Sequence, residues 1–540
     1  MKEVVLFAVL SVVVAITIPL YALETDFSGE FYVEGILNSS MNMLDSDSTS
    51  DYRQMRLRVQ TQFQVNDNLK FITRFDALEK VLSSGDSAFD NMQDDDNIDF
   101  DRAYLSYISP IGIVNVGRME GNTWGTTFCN DKSDTDRVKY TVPVEIGDGT
   151  LYLGAVAEKV TENNPMLDDD NDKYYLAAVY KTENHAMGVL TAFYNFKKFQ
   201  ETDQAYAIDD LIDSYETNLN AASYRDFISS GHAPDNIVSY IRWYSGNAMN
   251  AMRVQKYAEA AAVYQAAGDI ASAEAAAAAA NSAAAKINGD WANDMADSSL
   301  ITIASKGTTN EAKAYMFAPY YQGRFGDLTL EAELDYIFGT VKYREIYNAE
   351  DRDVKTLAYF AQAGYDLSSV TVTGGFAYMS GDADYDDDKF ESMGFITPGL
   401  DWEKLFILNS DYHGMNSTLG NGVGNHVGRG FATASTGMLD GYQMFYSGID
   451  YAVTDSVTLG FIGALSRADD IPDAAGYDDD QGIEYDFSLT WNINSNLTYR
   501  AIAAYLDGGD YWTTRASYGV VDPAVDPQIY VLFHRLTLTF

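Results

Sequence analysis

Apolar and polar positions alternate along most of this chain. In the stretch 55–65, Met55, Leu57, Val59, Thr61, Phe63 and Val65 fall on one face, and Arg56, Arg58, Gln60, Gln62 and Gln64 on the other. A period of two is that of an extended strand. Eleven residues with one apolar and one polar face fit the roughly 10-residue spans of a membrane barrel, which run between lipid and a polar interior. Similar segments recur near 27–38, 52–65, 69–80, 100–109, 113–119, 136–146, 150–160, 173–182, 186–199, 313–325, 328–343, 354–366, 370–380, 440–452, 457–467, 482–492, 496–507 and 527–540. They predict an all-β chain: a transmembrane antiparallel β-barrel of about 18 strands, with 16 the alternative. The connections alternate in length. Asn66-Asp67-Asn68, Gly147-Asp148-Gly149 and Gly326-Asp327 suit tight hairpins, and the connections between them are long and rich in Asp, Asn, Gly and Ser.

Two segments break the period. Residues 1–22 carry a short charged start, an apolar run from Val4 to Ile18 and a small residue at Ala22, the layout of a signal peptide. Residues 203–311 are Ala-rich, with Ala275 to Ala280 unbroken, and predict a helical insertion in the fifth long loop. The expected organisation is a leader at 1–22, barrel at 23–202, the insertion at 203–311 and barrel again at 312–540.

The net charge of −43 argues against nucleic acid as a partner. Cys129 is the only cysteine, which excludes internal disulfides and thiolate metal clusters. No catalytic motif is present, so no enzyme activity and no catalytic residue are expected. His413 and His426 share a Gly- and Asn-rich loop, a weak metal signal. Four Asp triplets, at 94–96, 168–170, 386–388 and 478–480, lie in long loops. Such clusters suit Ca²⁺ or Mg²⁺, or divalent bridging to lipopolysaccharide phosphates, but none has the spacing of a dedicated loop, and solvated acidic loops are the simpler reading. No other cofactor is implied.

Once the lipid faces are assigned, the opposite faces name candidate pore-lining residues. Arg56, Arg58, Lys70, Arg74, Arg102, Arg137 and Lys139 form a basic set, and Arg118 is grouped with them. Glu331, Glu333, Asp335, Glu484 and Asp486 form an acidic set on strands far along the chain. The expectation is a basic wall facing an acidic one across a water-filled lumen. In the third long loop, Trp124 and Phe128 are too apolar for a free tip and would narrow the pore if folded inward.

The run Arg102-Ala-Tyr-Leu-Ser-Tyr, with Pro110-Ile-Gly, Val116-Gly-Arg, Trp124-Gly-Thr and Asp136-Arg-Val-Lys-Tyr140, resembles the N-terminal third of large Gram-negative outer-membrane porins, and is also similar to the alginate-export type of barrel. The terminal Phe540, after Leu536 and Leu538, resembles the signal read by the outer-membrane assembly machinery. The resemblance implies an outer-membrane channel amid lipid and lipopolysaccharide, passing small hydrophilic solutes and ions, and frequently a homotrimer. A selective channel or exporter for an anionic solute or polysaccharide, and an adhesion barrel displaying the helical loop, stay open. One residue fits poorly: the same alternation points His534 at lipid.

Overall fold

The computed structural model describes residues 24–39, 50–82, 98–128, 130, 133–162, 170–201, 254, 258, 261–262, 265, 270–284, 308–342, 351–382, 388–391, 402, 404–408, 440–471, 477–516 and 526–540. The expected leader at 1–22 lies outside them, as do Cys129, His413, His426 and most of the 203–311 insertion.

The wall comprises β1 (Glu24–Asn38), β2 (Ser50–Asn66), β3 (Leu69–Val81), β4 (Asp99–Ser109), β5 (Gly112–Glu120), β6 (Asp134–Ile146), β7 (Gly149–Thr161), β8 (Asn171–Lys181), β9 (His185–Glu201), β10 (Thr308–Phe325), β11 (Leu328–Lys342), β12 (Arg352–Leu367), β13 (Val370–Met379), β14 (Tyr442–Thr454), β15 (Val457–Arg467), β16 (Asp480–Asn492), β17 (Leu497–Asp507) and β18 (Gln528–Thr539). Each strand pairs antiparallel with the next, and β1 pairs with β18, so the eighteen strands close a barrel. Lys389–Phe390 adds a two-residue strand parallel to β12. Every expected strand is present, and the count is the higher of the two expected.

The closing seam runs from Glu30 opposite Thr539 to Asn38 opposite Val531. Phe540 completes it. Its N–H donates to Gly29 O at 3.1 Å, and its carbonyl accepts from Gly29 N–H at 2.8 Å. The Phe540 ring lies where a Cβ on Gly29 would stand.

The short turns share one end. There Gly147 and Gly326 both take φ of +63°, and Ser368 takes +64°. The left-handed conformation costs glycine little, which explains its place in these tight connections. The long loops share the other end. In the ninth of them, α2 (Asp510–Ala516) buries Tyr511 and Trp512. The alternation had not signalled so short a helix. In the fifth, α1 (Ile270–Ala284) bears out helix formation in the Ala-rich run.

The outer surface is apolar. Phe27, Leu105, Val116, Leu176, Phe317, Phe487 and Leu532 are exposed there. Among the described residues no helix is long and apolar enough to cross a membrane. Buried residues face inward, as with Tyr32, Ile36, Phe360, Tyr446, Ile502 and Phe533. His534 is exposed on the outer face opposite Gly35. A Cβ on Gly35 would meet His534 Nε2 at 2.6 Å, so the ring edge occupies the space a side chain there would take. No bulge interrupts the β1–β18 register, so packing over Gly35 is how the barrel accommodates this polar ring.

Candidate functional site

Two long loops fold into the lumen, each held by an inward carboxyl group. In the third, Thr126 donates its N–H (2.5 Å) and its hydroxyl (2.6 Å) to Glu333 Oε2 on β11. Gly125 approaches the wall with φ of +54°, and a Cβ there would meet Glu333 Oε2 at 2.6 Å. Only glycine fits that approach without strain. Trp124 packs edge-on against Tyr320 at 5.1 Å and donates its indole N–H to Ala318 O at 2.9 Å. Phe128 is wholly buried, stacked on Phe360 at 5.3 Å and edge-on to Trp402 at 5.1 Å. Both aromatics thus point inward: Trp124 borders open space, and Phe128 anchors the loop.

The seventh long loop contributes Trp402 and Lys404–Leu408. Ile407 and Leu408 N–H donate to Glu484 at 2.6 and 2.7 Å, and Phe406 N–H donates to Asp486 at 2.8 Å. Trp402, Leu405, Phe406, Ile407 and Leu408 are all buried. Lys404 sits in this loop near the Trp402 and Tyr446 rings, 5.9 and 6.0 Å from their centroids. Burial lowers its pKa, and the Glu331 carboxylate opposes that.

These contacts change the expected acidic wall. Glu333, Asp335, Glu484 and Asp486 do face inward, but all four are buried, and Glu333, Glu484 and Asp486 accept backbone N–H groups of the two loops. Backbone amides need acceptors when they leave water, and inward carboxyl groups supply them. Glu331 also faces inward, within reach of Gln362 at 3.4 Å.

The basic set is equally changed. Arg58 forms a two-pronged pair with Asp76 at 2.6 and 2.7 Å. Arg74 joins Asp101 at 3.0 Å and Asp134 at 2.6 Å. Arg102 joins Asp134 at 2.5 Å and Glu120 at 2.6 Å. Arg56 lies 3.6 Å from Glu30, and Arg137 pairs with Glu158. The arginines and carboxylates therefore interleave into one ladder across β1–β7. Asp76 shares the inward parity of Arg74, so reading every charged residue on that face finds it, whereas Asp134 has the outward parity of Asp136 and alternation alone does not place it beside Arg74 and Arg102. Lys70 shares the inward face of β3, two positions from Ile72 and four from Arg74. Arg118 is a correction. It shares the outer face with Val114 and Val116, lies opposite Ala103, and pairs outside with Asp136 at 3.4 Å. The inward positions of β5 are Asn115, Gly117 and Met119, because the β4–β5 register runs unbroken.

Between the third loop and the wall β6–β10 lies a cavity of 530 Å³. Arg137, Lys139, Lys173 and Lys181 line it, and no carboxylate among the described residues does. Tyr152, Tyr175, Tyr194 and Tyr320 supply rings and hydroxyls, and Trp124 forms the loop side. Arg56, Arg58, Arg74 and Arg102 are not part of this lining. The alternation in β8 places Lys173 and Lys181 on the inward face with Tyr175, a signal present in the sequence but absent from the expected basic set. A smaller cavity of 330 Å³ beside the seventh loop is bordered by Lys404, Arg500, Asp450 and Asp486.

No family model and no curated protein matches the chain. Solved structures do. OpdQ of Pseudomonas aeruginosa is 9% identical, covering 96% of this chain and 98% of that one, with a TM-score of 0.44. A BenF-like porin from Pseudomonas fluorescens is likewise 9% identical over 96% of this chain and 98% of its own, with a TM-score of 0.44. An anion-selective porin from Comamonas acidovorans is 8% identical over 96% and 99%, with a TM-score of 0.39.

Of the four Asp triplets, only 478–480 lies wholly within the described residues. Asp170 pairs with Lys159 at 2.6 Å, and among the described residues no group of three His, Cys, Asp or Glu side chains is arranged to hold a metal ion. The triplet at 94–96 lies outside the described residues.

Proposed function

We propose that this protein is an outer-membrane channel for passive diffusion of small hydrophilic solutes and ions, and that its passage favours anions. Eighteen strands enclose more space than side chains alone can fill. The two infolded loops narrow that space. What remains beside the third loop is lined, among the described residues, by four cations and no carboxylate, and this observation carries the reading. Glu158 lies behind the lining, buried between Arg137 and Lys173, and offsets part of the charge. The net positive potential in a narrow aqueous passage raises the local anion concentration. The tyrosine hydroxyls offer polar contacts that suit uncharged hydrophilic solutes as well. Nothing in this geometry calls for chemistry on the solute.

Planar-bilayer recordings under a KCl gradient test this reading. Discrete open-channel steps with a reversal potential on the anion side support it. Absence of conductance from heat-modifiable, folded protein would exclude a channel. The alternative of a polymer exporter requires a wider continuous basic track. The ladder of Arg58, Arg74 and Arg102 is too fully paired with carboxylates to supply one.

A further inference from the structure

A second set of cations lies on the outside of the barrel. A crevice of 440 Å³ crosses β10, β11 and β12 near the long-loop end. Lys313, Lys342 and Lys355 border it, together with Tyr315 and Phe338. Two carboxylates are also present, Glu311 and Asp353, and Asp353 lies 3.3 Å from Lys355 Nζ. Lys313 and Lys342 enter no ion pair among the described residues.

The register places these groups on the outer face. Tyr315 stands opposite Phe338, and Phe338 opposite Lys355. Lys313 stands opposite Thr340, one pleat nearer the loops than Tyr315. Below the lysines the rings form a continuous band. Phe193 stacks on Tyr315 at 5.1 Å, Tyr315 on Phe338 at 5.6 Å, and Tyr336 on Phe338 at 5.6 Å. Aromatic girdles mark the boundary between hydrocarbon and headgroups in membrane barrels. Two residues along a strand rise roughly 6–7 Å. Lys313 and Lys342 therefore stand at headgroup depth, with stems along the apolar wall and ammonium groups able to reach upward.

Two other cations near this rim, Arg118 and Lys159, are paired within their own wall. Arg118 faces Asp136 at 3.4 Å, and Lys159 is held by Asp170 at 2.6 Å and Asp172 at 2.9 Å. An excess of cations on the lipid-facing surface stands out in a chain of net charge −43. Clustered ammonium groups above an apolar, aromatic floor complement a ligand with an anionic head and acyl chains.

We infer that the crevice between β10 and β12 binds the phosphate groups of an outer-leaflet glycolipid headgroup, with Lys313 and Lys342 as the main contacts and Tyr315 and Phe338 against the first acyl carbons. The inference rests on the barrel spanning the outer membrane, but not on what passes through it. The probe is purified lipid A added to the detergent-solubilised full chain, followed by native mass spectrometry. Controls use enzymatically dephosphorylated lipid A and millimolar inorganic phosphate. Lipid A should remain bound, and the dephosphorylated form should not. The double variant K313Q/K342Q should bind lipid A about 30-fold more weakly, the effect of two lysines at an anionic surface. R118Q, on the same rim, should bind as the parent does. Both variants should keep the heat-dependent gel shift and single-channel conductance of the parent, which separates loss of this site from failure of the barrel or channel reading. Equal binding by K313Q/K342Q, or equal retention of dephosphorylated lipid, would overturn the assignment. Displacement by inorganic phosphate would overturn it in favour of a free-anion site.

Discussion

The third loop offers a quantitative test of how the lumen is narrowed. Glu333→Ala removes the acceptor for the Thr126 N–H and hydroxyl, 2.5 and 2.6 Å away. Leaving a buried donor unsatisfied costs about 1–3 kcal/mol, so two cost about 2–6 kcal/mol. Water reaching the loosened loop makes this an upper bound. The remaining anchors are comparable. Burying the Phe128 side chain contributes about 1.5–3 kcal/mol. Its ring contacts with Phe360 and Trp402 add about 0.5–1.5 kcal/mol each. Glu333→Ala alone should therefore leave the loop docked most of the time, with excursions. In planar bilayers its open channel should flicker toward a larger conductance. Adding Phe128→Ala removes the second anchor, and the double variant should hold a steady, larger conductance with weaker discrimination by solute size. The gel shift on heating reports whether the barrel still closes. A double variant that folds, yet conducts with the same amplitude and noise as the parent, would refute this account of the constriction.

Other outcomes follow from the same geometry. Glu484→Ala frees the amides of Ile407 and Leu408 and should destabilise docking of the seventh loop by about 2–6 kcal/mol, read as faster protease cleavage within 402–408 in the folded barrel. Lys181→Glu reverses one of the four lining cations and should lower the anion-to-cation permeability ratio about fivefold in dilute salt and less in concentrated salt; an unchanged ratio would place the ion path elsewhere. Asp134→Asn weakens the shared anchor of Arg74 and Arg102, but each keeps a second carboxylate, so barrel stability should fall by about 1–3 kcal/mol in urea titrations of the folded protein in lipid.

The sequence by itself determined the wall. A period of two over segments such as Met55 to Val65 fixes which side chains face lipid, because a slip of one residue would bury arginines in hydrocarbon. Strand number, hairpin ends and the closing strand to Phe540 follow from that constraint and from turn residues that tolerate positive φ. The inward turn of Trp124 and Phe128 was legible for the same reason, since large apolar rings do not stay in water. Leu405 to Leu408 carried that signal too, as an apolar run in a polar loop.

What each inward charge meets was decided only in three dimensions. Glu333 is 207 residues from Thr126, and Glu484 is 77 from Ile407. No local pattern links a strand carboxyl group to a loop amide at that distance. The expected acidic wall became the anchorage of two loops, and the basic one a ladder shared with Asp76, Asp101, Asp134 and Glu158. Alternation assigns a side chain to a face, but the barrel's curvature and the loops folded within it assign its partner. Arg118 shows the limit from the other side: its type suggested the lumen, and one step of register placed it outside.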